Sequence, residues 1–392
     1  MSIGTMGFVA ERLVQGREAR GLTLTALADL IQVNKSAISH YEKGLHTPSP
    51  EILKNISQKL NLPICFFLKP NPIINSSSRI FYRSMCAVTK QARKRAERRF
   101  EWLKEIIIYL SEFLDFPKPN LPKFDAPKDF RKITANMIEN YTQQLRDFWN
   151  LGFGPIADVI RCLEANGIFV SYGNLDAEML DAFSELENET PFVFLNADKN
   201  ILARSRFDSA HELGHLVLHQ HVDKTTLQKT TDFKLLELQA HHFASAFLFP
   251  AKSFVDELWG VSLDSFRSLK SRWKVSIAAM ISRSIQLELI DENEAKRLWI
   301  NRNRRGWRTF EPLDDLPVEV PKMLSQSFNV ILENKVKTKD QILNDLAISS
   351  NDIEELTNLP KGYLLDKQDE TIPTLKLPEN VIKFSQDRIK NI

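Results

Sequence analysis

The sequence predicts a mainly α-helical protein with a small β-sheet, of the α+β class, and three observations carry that prediction. Residues Phe8 to Leu68 read as short amphipathic helices separated by brief turns. Three β-prone runs follow Gly167: IFVSY at Ile168–Tyr172, DAFS at Asp181–Ser184 and PFVFLN at Pro191–Asn196. After them come two histidine-bearing helical segments, and the remaining third again reads as helices. A chain of 392 residues predicts two or three domains. With 43% hydrophobic and 26% charged residues it is neither disordered, collagenous nor membrane-embedded. A net charge of +2 predicts no polyanion partner from the total, so any nucleic-acid signal must be local. Cys65, Cys86 and Cys162 are odd in number and form no CxxC, which excludes a disulfide framework and a cysteine zinc site and fits a reducing cytoplasm. No apolar run approaches the ~18 residues of a membrane span. The start, MSIGTMGFVAERLVQ, lacks a signal core, so a cytoplasmic protein without a membrane partner is expected.

The first element is a helical domain over residues 1–70. Val9, Leu13, Leu22, Leu27, Ala28, Leu30, Ile31, Val33, Ile38, Leu53, Ile56 and Leu60 supply its core, Thr23 caps a second helix and Asn34 a third that begins at Lys35. The segment GLTLTALADLIQVNKSAISHYEKGLHTPSPEILKNISQKLNLP resembles the helix-turn-helix of the lambda-repressor/Cro (XRE) family, with Ala28, Val33, Ile38, Glu42, Gly44, Pro48 and Leu60 in its pattern. The resemblance implies a five-helix type of domain that reads double-stranded operator DNA. The second helix of the pair would enter the major groove, with Lys35, Ser36, Ser39 and His40 as readers and Ala37, Ile38 and Tyr41 as buried support. Leu24 stands where the family often has Gln, which removes one DNA contact. Reuse of the motif as a protein-binding surface is the rival.

Residues 71–150 are expected to be a basic, amphipathic helical connector. Lys69–Ser78, KPNPIINSSS, is linker-like, and between Arg79 and Arg99 eight basic residues oppose only Glu97. Such a helix suits phosphates or plain solvent equally. Phe100, Leu103, Ile107, Leu110 and Leu114 continue it as one apolar seam, for packing on the rest of the chain or, as a minority view, for a homodimer. Pro117, Pro119, Pro122 and Pro127 then interrupt regular structure before a helix near Ile133–Trp149.

Six of the eight histidines fall between His211 and His242. In His211-Glu212-Leu213-Gly214-His215, two histidines four apart lie one helical turn apart on one face, so both imidazoles reach one ion. Glu212 is placed to act on a water at that ion rather than to ligate it. A hydrolytic zinc site wants a third protein ligand and an open position. The next helix offers Glu237, Gln239, His241 and His242. Glu237, Ala240, His241, Ala244 and Leu248 share one face, and Gln239 lies about 200° from Glu237. Glu237 is therefore the expected ligand, with Ala240 and Ala244 allowing close helix approach and His241 supporting a ligand from outside; His241 as ligand is the alternative. His219, His221 and His242 are expected to be structural. For the oxyanion, Arg204, Arg206, Tyr172 and His242 stay open. PFVFLN is expected as an edge strand able to pair with a substrate peptide.

RSRFDSAHELGHLVLH followed by ELQAHHFASAFLFP, with the preceding strand, resembles the ImmA/IrrE family of zinc metallopeptidases over Gly167–Pro250. That implies a thermolysin-like minimal zincin over residues 151–252, Zn2+ held by two histidines and a glutamate, and Glu212 as catalytic base. Many members carry E-x-E-A-[ND], where this chain has Glu237-Leu238-Gln239-Ala240-His241; the face argument keeps the first glutamate. Residues 253–310 read as a helical, HTH-like segment with Ser276 as a cap and basic residues Arg267, Lys270, Arg272, Lys274 and Arg283. Residues 311–392 read as a polar helical tail. Together these imply a DNA-binding regulator that cuts a protein, often a repressor of the same class, or itself near Lys69–Ser78, to release a stress, mobile-element or phage-defence operon. The rival is a DNA-binding repressor or antitoxin whose metal domain senses a signal or is catalytically silent.

Overall fold

The computed structural model describes residues 4–70, 79–82, 89–173, 182–197, 200–222 and 230–365. Asp181, Arg83, most of the linker and the tail beyond residue 365 lie outside the described residues. The architecture is mainly α with one small mixed sheet.

The N-terminal unit comprises α1 (Ala10–Ala19), α2 (Leu24–Ile31), α3 (Lys35–Glu42), α4 (Pro50–Leu60) and a fifth helix reduced to a 3-10 turn, Ile64–Phe67. Thr23 caps α2 by accepting from the Ala26 amide at 3.1 Å, whereas Asn34 stands at the start of α3 without a side-chain cap bond. Leu13, Leu27, Ile38, Leu53, Ile56 and Leu60 fill the core. Arg17 clamps Glu42 with two bonds of 2.5 and 3.0 Å and so fixes α3 against α1.

The basic stretch divides in two. Arg79–Tyr82 is strand β1, and the helix, α5, begins only at Lys90 and ends at Ser111, with Thr89 as its cap. The reading of Arg79 to Arg99 as one continuous helix is therefore corrected. Part of the positive charge is spent inside the molecule: Lys94 and Arg98 bind Glu18 of α1 at 2.5 and 2.9 Å, and Arg99 binds Glu355 at 2.8 Å. The seam of Phe100, Leu103, Ile107 and Leu110 is buried in the chain's own core, so it offers no dimer surface.

β2 (Phe169–Gly173), β3 (Ala182–Glu187) and β4 (Thr190–Asn196) join β1 in the order β1-β3-β4-β2. β3 is antiparallel to both β1 and β4, and β2 is parallel to β4. Asn188 and Glu189 both have positive φ, 47° and 66°, which suits the two-residue turn of the β3–β4 hairpin. Alternation sorts the side chains. Phe169, Phe183, Phe192 and Phe194 join the core that α5 and the N-terminal unit share, while Val170, Ala182, Val193 and Leu195 join the core of the metal-site helices. Burial on both faces explains why PFVFLN is a continuous apolar run. It also corrects the edge-strand reading: β4 is central and paired on both sides, so it has no free edge for a peptide.

The second core is built by α6 (Ala135–Phe148), α7 (Val159–Ala165), α8 (Leu202–Leu218), α9 (Thr230–Leu248), α10 (Ala251–Glu257), α11 (Leu263–Trp273) and α12 (Ile277–Gln286). Two of the basic residues of this segment are buried in ion pairs, Lys270 with Glu311 and Asp314 and Arg283 with Glu139. α13 (Glu292–Arg304) opens on a reciprocal cap between Asp291 and Glu294. The C-terminal helices α14 (Met323–Glu333), α15 (Lys339–Leu346) and α16 (Ser350–Thr357) are packed, not trailing. Leu324, Phe328, Ile331, Ile342, Ile353 and Leu356 lie in the core shared with α5. Asp352 accepts two bonds from Arg20, of 2.7 and 2.6 Å.

Arg12 is fully buried and forks onto Glu105 of α5 at 2.9 and 2.7 Å, tying the N-terminal unit to that helix. Breaking a buried pair strands the remaining charge, at about 3–5 kcal/mol. Glu105→Ala is expected to lower stability by that order, read as a lower urea midpoint at unchanged m-value.

Candidate metal centre and DNA-reading helix

The metal-centre helices meet because small residues let them. A Cβ built on Gly214 would lie 3.1–3.2 Å from atoms of Phe243, so glycine in HELGH permits the approach of α9, helped by fully buried Ala240 and Ala244. Across that contact the structure brings together His211, His215 and Glu237, whose donor atoms lie within 4.8 Å of one another. The two Nε2 atoms are 3.1 Å apart; Glu237 stands 3.5 Å from His211 Nε2 and 3.3 Å from His215 Nε2. A tetrahedron with zinc–ligand bonds of ~2.0–2.1 Å has edges of about 3.4 Å. The three atoms thus fit a zinc-sized ion, and two imidazoles with one carboxylate are a donor set that zinc accepts.

The charges agree with that fit. Burial holds His211 well below the usual histidine pKa, so its imidazole is neutral and has a lone pair to give. Burial alone would raise the Glu237 pKa, but the imidazoles of His211 and His215 beside it outweigh that and hold the carboxyl below its usual range.

His215 is held by a chain of hydrogen bonds that also sets its tautomer. Gln239 points its amide nitrogen at two backbone carbonyls, Phe130 O at 2.8 Å and Ile133 O at 3.1 Å. Its Oε1 is therefore an acceptor, 3.0 Å from His219 Nε2, which must carry a proton. Burial holds His219 down at about 3, so the ring is neutral and its Nδ1 accepts. The partner of that Nδ1 is His215 Nδ1 at 2.9 Å, which donates and leaves the His215 Nε2 lone pair facing Glu237.

Sequence reasoning missed this chain. Gln239 was placed some 200° from Glu237, and the structure nevertheless brings both to α8. Gln239 is buried between α9, α8 and the 3-10 turn Phe130–Lys132, because α9 is covered on more than one side. The available signal was His219 itself, four residues beyond His215 on the same face. His241 packs its ring edge against His211, 4.6 Å between centroids, and donates from Nδ1 to its own helix carbonyl, Glu237 O, at 2.9 Å.

Glu212 is fully buried and accepts a hydrogen bond of 2.6 Å from Ser184 Oγ, which projects from β3 on the side facing α8. Ser184 was not marked as functional, since a strand serine carries no pattern of its own. Of the oxyanion candidates, Arg206 is turned to Glu319 and Ile156 O, and His242 binds Glu139 at 2.6 Å. Arg204 is 3.7 Å from Asp208, and Tyr172 sits on β2. A mostly apolar cavity of about 770 Å³ adjoins the cluster, with Glu237, His241, Phe207, Ala279, Ile285 and Trp299 in its walls.

At the other end, Lys35 and Ser36 are exposed at the start of α3, Ser39 and His40 are half-buried, and Ile38 and Tyr41 are buried. The ring of His40 meets His46 edge to face at 5.4 Å.

Comparison with known proteins matches two families. Residues 13–67 match a helix-turn-helix family model. Residues 163–284 match the model of the IrrE N-terminal-like domain of the M78 peptidases, a span that runs from the last residues of α7 to Ser284 of α12. No curated protein matches the chain. Among the described residues no helix is long and apolar enough to cross a membrane. The chain therefore joins an XRE-type helix-turn-helix domain to an IrrE N-terminal-like peptidase domain.

Proposed function

We propose that this protein is a DNA-binding transcriptional regulator whose second domain is a zinc-dependent endopeptidase. It cuts a peptide bond in a partner protein, a repressor of the same helix-turn-helix class, or in itself. The observation that carries the reading is the convergence of His211 Nε2, His215 Nε2 and the Glu237 carboxylate beneath strand β3, beside buried Glu212. In this reading the three residues hold Zn2+, which when bound supplies a Lewis acid for the scissile carbonyl and for water. Glu212 takes the proton of the attacking water and hands it to the leaving amine. Ser184 holds one carboxylate oxygen of Glu212, so the carboxylate is oriented before substrate arrives. His241 backs His211, and the apolar cavity beside Glu237 receives a bulky apolar side chain next to the scissile bond.

The test is biochemical. Purified protein should carry about one zinc per chain and cleave any helix-turn-helix repressor encoded next to it. Zinc retention without cleavage of any co-encoded repressor would favour a DNA-binding module with a silent metal domain.

The DNA-binding half has its own expected result. Lys35, Ser36, Ser39 and His40 lie along the outer side of α3 as operator readers. Lys35→Ala is expected to weaken binding to genomic fragments enriched by the wild-type protein by about 1–3 kcal/mol. A gel-shift titration at fixed salt measures it, and an unchanged affinity would move the reading surface elsewhere.

A further inference from the structure

The sheet has one strand that belongs to neither matched family. β1 lies between the N-terminal unit and α5, outside residues 13–67 and 163–284, and pairs antiparallel with β3. Without it the order would be β3-β4-β2, and β3 would be an open edge. That edge is beside the chemistry. Ser184 of β3 donates to Glu212, and the β1 residue opposite Ser184 is Phe81. Paired strands lie about 4.8 Å apart, so the β1 backbone runs one strand spacing from the serine that touches the proton-accepting carboxylate. The other outer strand, β2, lies beyond β4 and is tied to α16 by Ser171 Oγ donating to Leu356 O at 2.7 Å.

We infer that the outer edge of β3 is where the peptidase takes an extended polypeptide, and that β1 occupies this edge as an intramolecular stand-in for substrate. The inference rests on the peptidase reading above. A polypeptide added to a sheet edge is held through its main chain, with few demands on its sequence. A four-residue strand of the chain's own link can therefore compete with an incoming segment. Because it is tethered, its effective concentration is on the order of millimolar, which an external substrate must overcome. Cleavage is thus held low until β1 leaves.

The experiment uses the full chain with Ile80→Pro and Phe81→Pro, singly and together. Successive N–H groups of an antiparallel strand point in opposite directions, so one of the two prolines must remove a donor that faces β3. The first readout is hydrogen exchange of the Ala182–Glu187 amides in a Glu212→Gln background, where no hydrolysis is needed. The double variant and one single variant should exchange roughly tenfold faster there, and a synthetic peptide of residues 77–84 should restore protection. The second readout is zinc-dependent hydrolysis of casein, expected to rise about tenfold in the double variant with Glu212 intact. Unchanged exchange, no protection by the peptide, or measurable hydrolysis that is unchanged or lower in the double variant at full zinc content would overturn the inference. If exchange responds as expected and neither protein hydrolyses anything, the edge occupancy stands and the peptidase reading fails. Glu212-dependent scission of the chain within Arg79–Tyr82 would also support it, because that cut requires β1 in the place of substrate.

Discussion

Glu212→Gln is expected to keep its zinc and lose hydrolysis by about 10²–10⁴-fold, the range that a positioned general acid–base contributes. Gln has the shape of Glu, and its carbonyl oxygen can still accept the Ser184 hydroxyl bond, so packing beneath β3 survives. What disappears is the lone pair that takes a proton from water. Metal content by mass spectrometry and zinc-dependent hydrolysis of casein separate the two effects. Loss of zinc in this variant would mean that Glu212 is a ligand, and full activity would mean that another base does the work. Glu237→Gln should behave in the opposite way. It removes the only charged donor of the triad and is expected to lose metal first, with activity following.

His219→Ala and Gln239→Leu should each weaken zinc binding by roughly 10–100-fold, the usual cost of removing a group that orients a metal-bound histidine. The sign follows from the tautomer argument. Without an acceptor at His219 Nδ1, the His215 ring no longer has a reason to keep its proton on Nδ1, and its Nε2 is as often protonated as free. His219→Asn should recover much of the loss, because its amide oxygen can take the place of the Nδ1 acceptor. Zinc titration against a competing chelator measures the affinity, and the nitrogen shifts of the His215 ring report the tautomer directly. Equal losses in all three variants with an unchanged tautomer would reduce His219 to a packing residue. Gln239→Glu is informative too. A carboxylate cannot donate to Phe130 O and Ile133 O, so it would face two carbonyls unpaired.

These residues also mark where the sequence was legible and where it was not. The two helices of the DNA reader, the HELGH helix and the choice of Glu237 over Gln239 as the residue facing both histidines follow from local periodicity, which has a fixed 3.6-residue repeat. Three strands were visible because β-branched and aromatic residues cluster in short runs. Other features depend on which elements become neighbours. β1 was read as helix because its basic residues run on into α5, and a strand of four residues at a sheet edge has too little pattern to compete. β4 was read as an edge because position within a sheet is set by pairing, not by composition. The tail appeared polar because α14 to α16 are short and each hides only a narrow stripe, yet together they close the core over α5. Charges were the least legible part: Lys270, Arg283 and Arg99 look like phosphate ligands in isolation and become ion-pair partners in the fold.

The clamp between Arg20 and Asp352 has a consequence for biosynthesis. The two residues are 332 positions apart, so at roughly 5–20 residues per second the ribosome makes the second on the order of half a minute after the first. The DNA reader can fold on its own helices during that interval, but the seat that α16 provides does not yet exist. Each newly made chain therefore passes through a period in which its reader is tethered and undocked.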